Sequence, residues 1–142
     1  MPDALTMVNL RKELDGMKNL LMTEAKMFLV DHGAALLDLS STQLNGFKNC
    51  VLGMSTLADI SNYITNAMAK DKKQADWAKK NIGTKVLNEL ESFKSGDKGA
   101  GVIRGKLGNP ADISVDEIHI RLVKIFVEYL VTESLFSISK RG

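Results

Sequence analysis

The residues best suited to bind a ligand are the basic residues around the only tryptophan. Lys73, Trp77 and Lys80 recur at i, i+4 and i+7, and Thr84 continues the series, so a helix places two ammonium groups and an indole on one face. Such a face suits a phosphate backbone, with the indole stacking on a base or covering a sugar. The predicted nucleic-acid-binding residues are Lys72, Lys73, Trp77, Lys79, Lys80, Lys98, Arg104 and Lys106.

The distribution of charge supports this interpretation more than its total. The whole chain carries a net charge of only +2, but residues 70–106 hold ten basic and five acidic side chains, a net charge of +5. The remaining residues therefore sum to −3. The alternative is that the lysines only keep a helix face solvated and that Trp77 is buried in the core.

A glycine-rich basic segment, 95–110, follows the lysine-rich face, with glycines at positions 96, 99, 101, 105 and 108. We expect it to be a flexible loop without regular structure, since glycine is disfavoured in helices and strands. Its backbone N–H groups can approach phosphates, and Lys98, Arg104 and Lys106 add positive charge. The segment lacks the Gly-Lys-Ser/Thr ending of a P-loop, which argues against nucleotide binding.

Other reactive side chains are few. One cysteine and two histidines exclude an internal disulfide, a cysteine-rich zinc site and a three-histidine metal site. We interpret Cys50 as a core or boundary thiol and His32 as a cap for the last carbonyls of a helix. His119 leaves a general base open, but no nucleophile or second acid accompanies it. We predict no catalytic residue, metal, cofactor or enzymatic activity.

Composition defines the class of fold. The chain has 142 residues, 44% of them hydrophobic, 25% charged and 6% aromatic. These values predict one domain over residues 1–142, an all-α helical bundle of about four to five helices. No signal peptide or membrane-spanning stretch is evident, and the scarcity of cysteine favours the cytoplasm.

Apolar periodicity and glycines divide the first half of the chain into two segments. The first, 4–37, is expected to end its main helix at Gly33, with 34–38 as a connecting turn. The second begins with the capping box Ser40-Ser41-Thr42-Gln43, flanked by staple residues Leu39 and Leu44. Its apolar stripe predicts one helix down to Ala69.

The second half contains two more helical segments. One is amphipathic and covers about 73–94. The other starts at a second capping box, Ser114 to Glu117, and is apolar on most sides from Ile118 through Phe136. A helix so widely apolar should lie at the centre of the bundle or against a partner subunit.

The cap Leu39-Ser40-Ser41-Thr42-Gln43-Leu44 resembles the helix start of the small α-helical subunit of type III CRISPR ribonucleoprotein effector complexes. The apolar run 27–44 and the terminal stretch 121–130 are also similar to that family, as is the chain length. The resemblance implies a non-catalytic subunit that stacks in copies along a guide–target duplex and contacts its backbone through basic residues. The implied partners are guide RNA, target RNA or DNA, and the other subunits of the complex.

Three functions therefore compete. The first is the nucleoprotein subunit, binding a strand without reading its sequence. The second is a helical protein-interaction adaptor or homo-oligomer, with no nucleic-acid role. The third is a small enzyme that uses His119, which we disfavour for want of a second reactive group.

Overall fold

The predicted all-α fold is confirmed. The computed structural model describes residues 3–36, 39–70, 81–94 and 99–141, and within these ranges the chain forms six α-helices and no β-strand. The helices are α1 Ala4–Leu36, α2 Ser41–Leu52, α3 Leu57–Lys70, α4 Ile82–Ser92, α5 Ala100–Lys106 and α6 Val115–Arg141. None of the described helices is long and apolar enough to cross a membrane.

Both predicted N-cap bonds are formed, and at Ser40 the capping box is complete. Ser40 Oγ accepts from the backbone N–H of Gln43 at 3.1 Å, and Gln43 Oε1 accepts from the backbone N–H of Ser40 at 2.9 Å. Ser114 Oγ likewise accepts from the N–H of Glu117 at 3.1 Å. The staple residues at both caps are buried: Leu39, Leu44, Ile113 and Ile118. The caps thus fix where α2 and α6 begin.

α6 lies at the centre of the bundle, as predicted from its apolar surface. It packs against α1, α2 and α5, while α3 packs on α4 and α1 also touches α4. Phe126 of α6 contacts Phe28 of α1 and Phe93 at the end of α4, with ring centroids 6.5 and 5.0 Å apart. The exposed strip of α6 consists of the polar residues Glu117, Arg121, Glu128 and Thr132, with Lys124 half-buried.

Two predictions of helix boundaries in the first half are wrong. α1 continues through Gly33 to Leu36, because Gly33 is buried and does not adopt the positive φ of a glycine that ends a helix. The segment 40–69 is two helices, since Gly53 caps α2 and Thr56 Oγ accepts from the N–H of Asp59 to start α3. The apolar stripe runs on across this turn because both helices face the same core.

The prediction that the glycine-rich segment 95–110 is an entirely irregular loop is also wrong. Residues 100–106 form α5, whose Ala100 and Ile103 are buried. The helix ends in a Schellman motif: Gly108 has φ +82°, its N–H bonds to Gly105 O at 3.0 Å, and the N–H of Asn109 bonds to Arg104 O at 3.0 Å. Residues 95–98 lie outside the described part of the chain.

The start of α4 lies unusually close to two side chains of α3. Gly83 is buried, and a Cβ built there would lie 2.5 Å from Met68 Sδ and 2.9 Å from Ile64 Cγ2 of α3. A larger residue at this position would force Ile64 and Met68 to shift, so glycine suits the close packing of α4 on α3. This contact positions α3 and α4, the two described helices on either side of the lysine-rich stretch.

Candidate nucleic-acid interface

The structure describes two of the eight predicted nucleic-acid-binding residues, Arg104 and Lys106. Both lie in the last turn of α5, at the end of a helix where cationic side chains are favoured by the helix dipole. The other six lie outside the described residues and remain predictions: Lys72, Lys73, Trp77, Lys79, Lys80 and Lys98.

Arg104 binds the segment that leads into α6. Its Nε donates to Ile113 O at 2.7 Å and its Nη2 donates to Pro110 O at 2.8 Å. The guanidinium is half-buried, so these bonds are shielded from competing water. The observed role of Arg104 is therefore to hold 110–113 in place directly before the Ser114 cap.

Lys106 is the more accessible of the two cations. Its Nζ lies 3.8 Å from Glu13 Oε2 of α1, and 59% of its side chain is exposed. Lys94, at the other side of 95–98, has its Nζ 3.2 Å from Asp116 Oδ1 at the start of α6, and it too is half exposed. Exposed ion pairs of this type contribute little, about 0–1 kcal/mol, so a phosphate can replace either carboxylate.

His119 has a structural partner. It is buried on α6, and its Nε2 bonds to Leu90 O of α4 at 2.8 Å. Since a carbonyl oxygen only accepts, Nε2 is the nitrogen that carries hydrogen. This bond ties α4 to α6.

The other two candidate side chains also differ from expectation. Cys50 is exposed on α2, so the expectation of a core or boundary thiol is wrong. The buried residues of α2 are Leu44, Phe47 and Val51, and position 50 is turned about 100° from Val51 around the helix, which places it beyond the edge of the core face. His32 lies within α1, which continues past it, and its ring contacts Phe28 edge-on at 4.9 Å between centroids. It therefore does not cap the helix end there.

The structure contains clefts that were not predicted, and two of them are lined by charged residues. One, of about 590 Å³, lies between α1 and α6 and is lined by Leu10, Leu14 and Ile125 with Arg11 and Arg121 among its charged residues. In this cleft Lys18 Nζ donates to Asp15 Oδ1 at 3.0 Å, and this hydrogen bond raises the pKa of the ammonium group. Arg11 and Arg121 have no ion-pair partner among the described residues, so they add positive charge away from 70–106.

The second cleft, of about 720 Å³, lies where α3 and α6 begin and α4 ends. His119 and Lys94 line it together with the acidic residues Glu91, Asp112, Asp116 and Glu117. Across the described residues no group of three or more His, Cys, Asp or Glu side chains is arranged to hold a metal ion. Because the lining combines several acids with a lysine that is already paired, it does not indicate one class of ligand for this cleft.

Comparison with protein-family models, with curated proteins and with solved structures finds no match to this chain. Sequence reasoning missed Arg11 and Arg121 because the charges near each of them are of both signs. The only signal was their i, i+3 or i, i+4 spacing from apolar groove residues, Leu14 on α1 and Ile125 on α6.

Proposed function

We propose that this chain is a non-catalytic helical subunit that binds the backbone of a nucleic acid within a ribonucleoprotein effector complex. The observation that carries the proposal is the concentration of positive charge in residues 70–106, with a net charge of +5 in a chain of +2. Binding of this kind depends on phosphate neutralisation and is insensitive to base sequence.

The described flanks of the basic segment are compatible with this role. Lys94 and Lys106 keep about half of their side-chain surface exposed, and each faces a single carboxylate. α5, once expected to be loop, holds Lys106 on an ordered helix anchored by Ile103. A cation on an anchored helix loses less conformational entropy on binding than one on a free loop.

The type of complex is suggested by the resemblance of the Ser40 cap and the terminal helix to the small subunit of type III CRISPR effectors. That resemblance supplies the guide RNA, the target strand and the neighbouring subunits as partners. The charge distribution by itself supports only backbone binding, so the two parts of the proposal can fail separately.

A helical protein-interaction module is the second candidate. The observation that favours it is apolar exposure on α1, where 55% of Met27 and 85% of Val30 are open to solvent. Exposed apolar side chains of this size on one helix indicate a protein contact.

The decisive experiment is a comparison of two charge-reversal variants with equal change in net charge. The test variant replaces Lys72, Lys73, Lys79 and Lys80 by Glu, and the control replaces Arg11, Lys12, Lys18 and Arg121 by Glu. We expect wild type to bind single-stranded RNA or a guide–target duplex with an affinity that falls steeply as salt rises. The test variant should lose binding, whereas the control should retain most of it.

Helix content by circular dichroism should stay unchanged in both variants, because Lys and Glu have similar helix propensity. An equal loss of affinity in the two variants would mean that net charge alone governs binding and that 70–106 is not a specific nucleic-acid-binding site. Absence of measurable affinity at low salt in wild type, alone and in its purified complex, would leave the protein-interaction module as the function.

A further inference from the structure

The outer face of α1 carries a second apolar stripe, opposite the core. Leu20, Thr23, Met27 and Val30 recur at i, i+3, i+7 and i+10, the spacing of a and d positions in a heptad. Met27 is 55% exposed, Val30 85%, Thr23 is exposed and Leu20 is half-buried. The core of α1 uses other positions, among them Leu21, Ala25 and Phe28.

Charges of opposite sign flank this stripe. Lys26 occupies the g position on one side, and Glu24 and Asp31 occupy e positions on the other. Lys26 and Asp31 have no ion-pair partner in the part of the chain that the structure describes. The stripe thus has one basic and one acidic edge, and both edges are uncompensated.

The acidic edge is reinforced from α4. Glu89 of α4 faces Glu24 and Asp31, and its pKa is raised by burial and by the charges of those two carboxylates. None of the three acids forms an ion pair with a described lysine or arginine. A cation supplied from outside the chain would relieve this repulsion.

We infer that a second copy of this chain packs on the stripe, with the two α1 helices parallel. In a parallel pair a g residue faces the e residue five positions further along the partner helix, so Lys26 of each copy faces Asp31 of the other. In an antiparallel pair the acidic edges of the two helices would face each other, and Lys26 of one copy would lie near Lys26 of the other. Charge complementarity therefore selects both the occupant and its direction.

The contact is short, since it spans only residues 20–30, and an interface of this size forms a weak dimer that dissociates on dilution. Because the stripe faces away from the core, the two bundles lie on opposite sides of the α1 pair. The inference does not rest on nucleic-acid binding, and all measurements use protein free of nucleic acid.

Sedimentation of the full chain over a wide range of concentrations tests the surface. We expect wild type to show a monomer–dimer equilibrium, and Met27→Gln with Val30→Gln to weaken it by at least about tenfold. The matched control is Leu52→Gln with Val102→Gln, which changes two exposed apolar residues of α2 and α5 and should leave the equilibrium unchanged. Monomer at every concentration, or equal weakening by the control, would overturn the inference.

A mixing experiment tests the charged edges. Lys26→Glu and Asp31→Lys should each weaken self-association because like charges then face each other in both symmetric pairs. An equimolar mixture of the two variants should recover dimer, since each interface then contains two opposite-charge pairs. Failure of the mixture to recover would refute the Lys26–Asp31 contact.

Cross-linking tests the direction of the helices. In a background with Cys50→Ser, Thr23→Cys should form an intermolecular disulfide under mild oxidation, since parallel d positions face each other within disulfide reach. Arg11→Cys, exposed but off the stripe, should not. A dimer that does not cross-link through position 23 would exclude the parallel arrangement.

Discussion

Ser40 and Ser114 each satisfy a backbone N–H that their helix would otherwise leave without a partner. We expect Ser40→Ala and Ser114→Ala to lower the free energy of unfolding by about 1 kcal/mol each. Urea denaturation followed by circular dichroism measures the change. Ser139→Ala, near the end of α6, is a control that removes an exposed hydroxyl bonded to Phe136 O and no cap. Midpoints that do not move for either cap variant would show that the caps contribute nothing.

Glu89 gives the protein a specific dependence on pH. Burial first, and then the charges of Glu24 and Asp31, raise its pKa in the folded state above the ordinary value of 4.5. The folded state therefore binds more protons than the unfolded state in the interval above 4.5, and stability rises as pH falls through that interval. Glu89→Gln should remove this rise and stabilise the protein at neutral pH.

Urea denaturation of wild type and Glu89→Gln at a series of pH values provides the measurement for this effect. Glu91→Gln is the matched control because Glu91 is an exposed acid on the same helix. Parallel stability curves for wild type and Glu89→Gln would show that Glu89 is not desolvated in the folded protein.

At the scale of elements, two glycines in helices have opposite roles. A Cβ at Gly83 would lie within 2.9 Å of Met68 and Ile64, whereas one at Gly16 of α1 meets nothing within 4 Å. We expect Gly83→Ala to destabilise the protein by about 1–3 kcal/mol through overpacking. Gly16→Ala should stabilise it by about 0.5–1 kcal/mol through helix propensity. Thermal denaturation of both variants would contradict this account if their shifts had the same sign.

α5 depends on its terminal glycine. Gly108→Ala imposes a side chain at φ +82° and should cost about 1 kcal/mol. The loss should loosen α5 and speed trypsin cleavage after Arg104, which is held by Ile113 O and Pro110 O in wild type. Gly101→Ala, inside the same helix and with only an ordinary contact to Lys94 O, should not speed cleavage. Rapid cleavage after Arg104 in wild type would mean that α5 opens readily.

The element boundaries show what the sequence could and could not predict. Capping boxes are local, so the starts of α2 and α6 followed from four residues each. The turn at Gly53 was missed because Val51, Met54 and Leu57 keep helical spacing across it, and both flanking helices face one core. α5 was missed because its glycines outweighed the spacing of Ala100, Ile103 and Leu107, which was the signal present.

On the scale of the whole molecule, the position of α6 was predictable from the sequence, whereas the ion pairing of the lysines and arginines was not. An apolar surface on most sides leaves a helix no stable place except the centre, and α6 occupies it. The excess of positive charge in 70–106 was likewise predictable, because it is obtained by counting residues in the sequence. Which cations are paired depends on contacts between distant helices, such as Lys94 with Asp116 and Lys106 with Glu13, and only the fold determines these.

The bond between His119 Nε2 and Leu90 O offers a way to observe the bundle in solution. An imidazole N–H that is buried and bonded exchanges with water only when α4 separates from α6, so its proton resonance should persist in water and report that separation. Gly83→Ala, which forces α4 to shift against α3, should broaden or shift this resonance before the helices themselves unfold. The resonance of this one proton can therefore report whether α4 and α6 remain packed together.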